Sequence, residues 1–434
     1  MKEFFHKAAW IVSGVLIIIL CLSPFCGLNG QESIYLSGKI LDDENSLPLP
    51  FAQLSVANST LGTVSNDEGQ FQLYIPCKFR DDTLLIAFLG YETSRRRISE
   101  LTGMYNEISL KPEALQLSEV EIIGLTPREV IRRAVANIPA NYGKDPLILT
   151  AFIRSQKFVN NKLAEFTEAI IEDLKTGYFL YKWNKVEDKL SNSNMPRLVK
   201  GRVVSDTGLV NNMGDVGKRA GCLGCNFMND LVEYYHKTVL DEELFKFHNL
   251  KMKEIGSPGG GKIYHIVYDQ SVKSQKLYMG DLYIDGSSFA IMKITQKPSF
   301  LAFDKFEKEK LNQLYTLNNI YGWVEDMPLL NRTICYSERD GVWCLSSIQE
   351  EQWVTFKLPS TGQRIRIGFK NDVVVTDVTR DPLKIKSFRG DKTVGTNQRW
   401  DEIVGEPDPD FWDNFIYLPI EEKLQKEVVK IKSN

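Results

Sequence analysis

Between Gly38 and Tyr91 the chain alternates short β-type runs with turn residues in a tight rhythm, and few folds accept that pattern. The stretch reads Gly38-Lys-Ile, then Leu49-Pro-Phe-Ala-Gln-Leu, then Gly62-Thr-Val-Ser-Asn-Asp-Glu-Gly-Gln-Phe71, then Phe88-Leu-Gly-Tyr91. Phe71, Leu73 and Ile75 alternate with Gln70, Gln72 and Tyr74, which puts one face of that strand in a core. Ala52, Leu54 and Val56 repeat the pattern. Asp67-Glu-Gly69 is a turn, because glycine adopts positive φ without steric cost. Pro48 and Pro50 separate the first two runs, and Gly90 marks a turn or bulge. The spacing predicts strands at 34–42, 51–56, 61–65, 69–75, 83–88, 91–98 and 105–111. That is the signature of a small β-sandwich.

This order of motifs resembles the carboxypeptidase regulatory-like domain. The resemblance implies a transthyretin-like sandwich with no catalytic residues of its own. It further implies a setting in the Gram-negative envelope, where such domains are appended to outer-membrane receptors and periplasmic proteins. It argues against an enzyme.

The first thirty residues read as a signal peptide, with Lys2 and Lys7 ahead of an apolar run from Ala8 to Leu22. A membrane-spanning helix needs about 20 apolar residues, and Ser13, Gly14 and Pro24 interrupt this one. Cleavage is expected near Gly27 to Gly30. Pro24 and Phe25 stand where a lipoprotein signal needs small residues before Cys26. Export to the periplasm or the outer-membrane periphery is therefore the expectation. The chain has 434 residues, which at about 100–200 per domain points to two or three domains. With 53 Lys and Arg against 56 Asp and Glu, there is no basic excess to hold a nucleic-acid backbone. Removing Cys21 and Cys26 leaves Cys77, Cys222, Cys225, Cys335 and Cys344. That set is odd, so at least one thiol stays unpaired in a monomer.

After the sandwich comes a linker, Glu113 to Gly124, and then a strongly signalled helix. Thr126 is its N-cap, Pro127 sits at N1, and Glu129 completes a capping box. Val130, Ile131, Ala134, Val135 and Ile138 make its apolar stripe, and Pro139 stops it. It is expected to plug one face or end of the sheet that follows. Strands are predicted at 147–159 and 163–174 around Asn160-Asn161-Lys162, and at 250–255 and 263–268 around a Gly-rich turn. Further strands are predicted at 277–284 and 289–294 around Asp285-Gly286. Runs at 315–323, 332–337, 342–356 and 364–378 extend the set. A helical piece is read at 229–235 and a charged helix at 420–429. Residues 183–226 fit no periodic template and are read as a long loop.

Gly261-Lys-Ile-Tyr-His-Ile-Val-Tyr268, Gly280-Asp-Leu-Tyr-Ile-Asp-Gly-Ser-Ser-Phe-Ala-Ile291 and Phe411-Trp-Asp-Asn-Phe415 resemble exported proteins in which the same sandwich precedes a β-rich domain. The hairpin Leu282-Tyr-Ile-Asp285 is similar to the lipoprotein-carrier half-barrel. That resemblance implies a curved sheet wrapped around helices and able to hold an acyl chain.

The chemical motifs read mostly as structure. Gly256-Ser-Pro-Gly-Gly-Gly261-Lys262 has phosphate-loop spacing, but Ile263 replaces the Ser or Thr and a strand follows instead of a helix. Cys222-Leu-Gly-Cys225 lacks the βαβ context of a redox site and the further ligands of a zinc site, with only His236 near. A local disulfide or two thiols is the simpler account. Cys335 and Cys344 face each other if their hairpin turns on Arg339-Asp340. A turn on Asp340-Gly341 destroys that geometry. His265 lies in a strand and reads as structural, with His248 the other remaining histidine. Asp42, Asp43, Glu44 and Asp67 read as solvated turn acids, which calcium would need to recruit. Asp408, Asp410 and Asp413 flank Phe411 and Trp412 in a Pro-bounded surface segment. No catalytic, metal-binding or cofactor-binding residue is assigned, and no cofactor. The disulfide candidates are Cys335, Cys344, Cys222 and Cys225.

The expected fold is mainly β, an N-terminal sandwich followed by a larger antiparallel sheet of half-barrel type with a few helices. The expected limits are 1–30 for the signal, 31–112 for the sandwich, 113–145 for linker and helix, and 146–434 for the β-rich domain. The expected function is non-enzymatic binding at the envelope, to a protein or hydrophobic ligand and not to nucleic acid. The alternatives are a lipid or lipoprotein carrier and a hydrolase with dispersed catalytic residues.

Overall fold

The computed structural model describes residues 33–113, 125–178, 194–211, 230–233, 238–257, 261–271, 278–299, 323–324, 329–357, 362–390, 400–404, 415 and 418–432. The targeting segment, Cys222, Cys225, His236, and the 405–414 stretch with Asp408, Asp410 and Asp413 lie outside them.

Seven strands build the N-terminal domain: β1 (Ser33–Asp42), β2 (Gln53–Val56), β3 (Gly62–Val64), β4 (Gln70–Pro76), β5 (Thr83–Ala87), β6 (Ser94–Arg97) and β7 (Tyr105–Leu110). They form two sheets, β4-β1-β7 and β3-β2-β5-β6. All pairs are antiparallel except β1 with β7. The period-2 reading holds: Phe71, Leu73 and Ile75 are buried in one core with Leu54, Leu84 and Ile86. Gly38 has a particular reason to be glycine. A Cβ there would lie 2.0 Å from the Asn106 carbonyl oxygen and 2.8 Å from the Phe71 ring.

The helix α1 (Pro127–Ala136) carries the expected capping box, with Thr126 and Glu129 bonded to each other's backbone N–H. Pro139 opens a short second helix, α2 (Ile138–Asn141). The large sheet uses β8 (Leu147–Val159), β9 (Lys162–Lys175), β10 (Asn194–Ser205), β11 (His248–Ser257), β12 (Gly261–Gln270), β13 (Tyr278–Asp285) and β14 (Ile291–Pro298). It is completed by β15 (Trp323–Val324), β16 (Leu329–Arg339), β17 (Val342–Lys357) and β18 (Arg364–Thr379). Its order is β10-β9-β8-β18-β17-β16-β14-β13-β12-β11, with β15 beside β17, and it does not close into a barrel. Among the described residues, four further helices follow the strands or their loops: α3 (Thr207–Asn211), α4 (Pro382–Gly390), α5 (Trp400–Ile403) and α6 (Glu422–Lys432).

Three expectations are corrected. Part of the 183–226 stretch is strand β10, paired along β9 with a bulge at Leu198/Lys200. Its charged residues, Arg197, Lys200 and Arg202, hid the alternation. Within 229–235, the described residues 231–233 form a turn, not a helix. The Asp285-Gly286 hairpin exists, but its loop is wider than two residues. The Asp285 carboxylate accepts N–H bonds from Ser287 and Ser288, at 3.1 and 2.7 Å, and Phe289 takes the positive φ.

Candidate binding cleft

The large sheet has an inner face that the chain fills itself. Leu149, Ile153, Ile266, Ile284, Ile334 and Val373 meet Val130, Ile131 and Ala134 of α1 in one buried cluster, with Trp400 and Phe245 in the same core. At the end of β9, Lys175 is buried as well. Its Nζ donates to Asp230 Oδ2 at 2.6 Å and Glu233 Oε2 at 2.7 Å. The Tyr178 and Tyr336 hydroxyls donate to the two oxygens of Asp230, at 2.9 and 2.8 Å. Burial opposes the ammonium charge, but the two carboxylates outweigh it and hold Lys175 well above the ordinary lysine range. This network ties the 230–233 turn to the ends of β9 and β16. Asp230-Leu-Val-Glu233 shows acids beside apolar residues, but nothing local names Lys175 as their partner.

The outer face is covered by three separate pieces. Leu418 fits between Val64 and Phe51 of the sandwich and Phe152, Ile170 and Val374 of the sheet. The helix α6 lays Leu424, Val428 and Ile431 on Phe158, Leu163 and Phe166. Ile385 and Phe388 of α4 cover Ile148 and Leu174. Buried Arg154 organises the junction. Its Nε and Nη2 donate to Glu168 Oε1 at 3.0 and 2.8 Å, and it donates to the Leu418 and Pro419 carbonyls at 2.6 and 3.2 Å. Asn66 of the sandwich donates to the same Pro419 carbonyl. Arg202 takes the second oxygen of Glu168. At the tip of the β16–β17 hairpin, buried Arg339 donates to the carbonyls of Thr60 and Val375, at 3.0 and 2.8 Å.

Beyond these contacts the sandwich and the sheet part, leaving a cleft of about 1210 Å³. The sandwich lines it with Phe51, Gln53, Leu85, Phe88 and Tyr91, and α6 adds Leu424 and Glu427, with Glu421 just before it. The floor is the outer face of β8, β18, β17 and β16. There Trp353, Gly368 and Phe158 are neighbours in register across three strands. The Trp353 ring lies on Gly368, where a Cβ would come within 2.3 Å of it. Its centroid is 5.4 Å from that of Phe158, and the Arg366 guanidinium sits 4.6 Å from the indole. The indole N–H donates to Glu351 at 2.7 Å. Asp372, partly open to the cleft yet surrounded by protein, is raised to about 7 by desolvation, against the pull of Arg154 and Lys370; Asp67 and Glu421 add to the rise.

The residues singled out from sequence are not brought together. Cys335 pairs across the hairpin with Ser347, and Cys344 with Ser337. The turn centres on Asp340 and Gly341, both at positive φ, and a bulge after Cys335 shifts the register. Cys335 lines the cleft and Cys344 belongs to the inner core, so the candidate bridge is absent and the Asp340-Gly341 turn is the one taken; both are free thiols, raised by burial. Lys262 begins a strand, and its carbonyl accepts from Gly286 N–H. His265 Nε2 lies 2.8 Å from Asp281, with its ring stacked on Tyr283 at 4.4 Å. The His248 ring bonds to the Leu244 carbonyl at 3.0 Å, and burial lowers it. Asp42 is satisfied within its turn, by Glu44 N–H and the Tyr91 hydroxyl, both at 2.8 Å. Those bonds hold it below the usual carboxylate range, while desolvation and Asp42 push Tyr91 up to about 12. Among the described residues no three His, Cys, Asp or Glu side chains converge as metal ligands would.

This architecture, a β-sandwich set against one face of a larger open sheet, defines the class of protein. More particularly, residues 36–122 match the CarboxypepD_reg-like domain, as the sequence resemblance implied. No curated protein matches the chain in sequence. Among solved structures, a LolA superfamily protein from Nitrosomonas europaea is 11% identical, covering 60% of this chain and 97% of its own, with a TM-score of 0.20. A Vibrio parahaemolyticus domain assigned to outer-membrane lipoprotein sorting is 9% identical, covering 61% and 96%, with a TM-score of 0.23. The Pseudomonas aeruginosa MucA/MucB complex contains a chain 10% identical, covering 58% and 98%, with a TM-score of 0.18. TM-scores this low define no common fold.

Proposed function

We propose that this chain is an exported, non-enzymatic envelope protein whose work is binding, and that it holds a segment of a partner protein in the cleft between sandwich and sheet. One observation carries this reading. The inner face of the sheet is filled by the chain's own α1 and α2 with Leu231, Val232, Val239, Leu240 and Phe245, whereas the cleft on the outer face is open. Its lining combines the Trp353 and Phe158 rings with charges of both signs, among them Lys293, Arg366, Lys370, Glu351 and Glu427. An acyl chain would strip water from those charges and return no hydrogen bond in exchange, which is unfavourable. A peptide supplies amides and opposite charges. The matched regulatory-like domain and the signal-like N-terminus support a periplasmic or outer-membrane-associated setting. We keep the domain limits proposed from sequence, with the sandwich ending near Pro112 and the β-rich domain beginning near residue 146.

The experiment is panning of a displayed peptide library on the purified chain, followed by affinity measurement on Trp353→Ala and Lys370→Glu. Enriched peptides should lose at least tenfold in affinity on both variants, and a fluorescent fatty-acid probe should not bind. Saturable binding of the fatty-acid probe, or enriched peptides indifferent to both substitutions, would sink the proposal.

A further inference from the structure

We propose that the free edge of β6 docks an acidic, extended polypeptide segment, added as a further antiparallel strand to the sandwich. The sheet β3-β2-β5-β6 has two edges, and they differ. The β3 edge is closed by the body of the protein: Val64 is buried, and a Cβ on Gly62 would lie 3.1 Å from Arg339 Nη2. Among the described residues no strand pairs with the outer side of β6. Its residues Arg95, Arg96 and Arg97 are all exposed, and no described carboxylate pairs with any of them.

The register shows what that edge offers. Ile98 N–H donates to the Asp82 carbonyl at 3.0 Å, and the ladder continues as Arg97 opposite Thr83, Arg96 opposite Leu84 and Arg95 opposite Leu85. Bonded and non-bonded pairs alternate in an antiparallel ladder. Counting from Ile98, Arg96 and Ser94 direct their N–H and C=O groups to β5, while Arg95 and Arg97 direct theirs outward. Arg95 and Arg97 also share one face of the sheet, two residues apart. An incoming strand therefore finds two sets of unpaired backbone groups, each beside a guanidinium able to donate bidentately to a carboxylate.

A short, charged edge is also how sheets repel stray strands. Repulsion by three arginines selects by sign: it turns away basic strands and favours one that carries carboxylates. Arg95, Arg96 and Arg97 do not line the cleft, although Leu85 opposite Arg95 does, and Glu351 and Glu427 there would repel such a segment.

The test uses the purified full chain and a fluorescein-labelled ten-residue peptide of alternating glutamate and valine, read by polarisation. N-methylating alternate peptide amides removes the strand hydrogen bonds and keeps every charge. That change should weaken binding at least tenfold, and it requires no protein variant. The doubly substituted Arg95→Glu/Arg97→Glu chain should lose binding to a similar degree, and so should Arg95→Pro, which deletes an outward N–H that β5 does not use. Equal binding of the methylated and unmethylated peptides would overturn the proposal, as would absence of any peptide binding. Capture by phosphatidylglycerol vesicles that depends on Arg95 and Arg97, without peptide binding, would overturn it in favour of an anionic lipid surface.

Discussion

The two faces of the large sheet hold a buried ion network each, and the networks do different work. On the inner face, Lys175 with Asp230 and Glu233 fastens a turn of the same domain against the strands. On the outer face, Arg154 with Glu168 grips the carbonyls of Leu418 and Pro419, a segment that also touches the sandwich through Asn66. The inner network completes a core. The outer one pins a joint and leaves a cleft beside it. The difference teaches that apolar strand faces alone do not mark a ligand site; what decides is whether the chain brings its own cover.

Breaking the inner network should have the largest effect. Lys175→Met leaves two buried carboxylates without their cation, and losing one partner of a buried pair costs about 3–5 kcal/mol. Thermal or urea unfolding measures it, and a loss below about 1 kcal/mol, within reach of a surface pair, would erase the contrast. Arg154→Met should cost less, about 1–3 kcal/mol, because Arg202 still serves Glu168. The same substitution should make the 418–432 segment sensitive to limited proteolysis, whereas Lys175→Met, in the surviving folded fraction, should not. Thr126→Ala, which removes the cap of the helix filling the inner face, should cost about 0.5–2 kcal/mol, read in the same unfolding series.

The outer face should also show a slope with pH. Asp372 binds its proton more tightly in the fold, at about 7, than its ordinary value of 3.8 allows in the unfolded chain. Its contribution to stability is therefore whole below about 3.8 and is lost as pH rises through about 7. Melting temperature should fall from pH 5 to pH 8, and Asp372→Asn should flatten that fall. Burial raises Glu421 too, so a residual slope is expected. An Asp372→Asn profile that matches the wild type would remove Asp372 from the junction's electrostatics.

The strands and their turns were legible because their signals are local. Asn160 and Asn161 take positive φ between β8 and β9, and the Thr126–Glu129 box caps α1. The alternation around Phe71 put the right face inward. Residues 194–205 were missed because β10, an edge strand, carries Arg197, Lys200 and Arg202 where a buried strand would show apolar residues. The Cys335–Cys344 hairpin was left open because turn chemistry offers two registers one residue apart, and packing chose between them.

By itself, the sequence determined which residues extend, where they turn and which side of each strand is apolar, since backbone preference and side-chain periodicity act over a few residues. It did not determine what covers each face. Lys175 finds Asp230 across 55 positions, and Arg154 finds Leu418 across 264. Ion pairing and packing act through space and carry no signature of sequence separation. The buried networks, the junction at Leu418 and the cleft beside it therefore exist only once the sheet has been assembled and the sandwich laid against it.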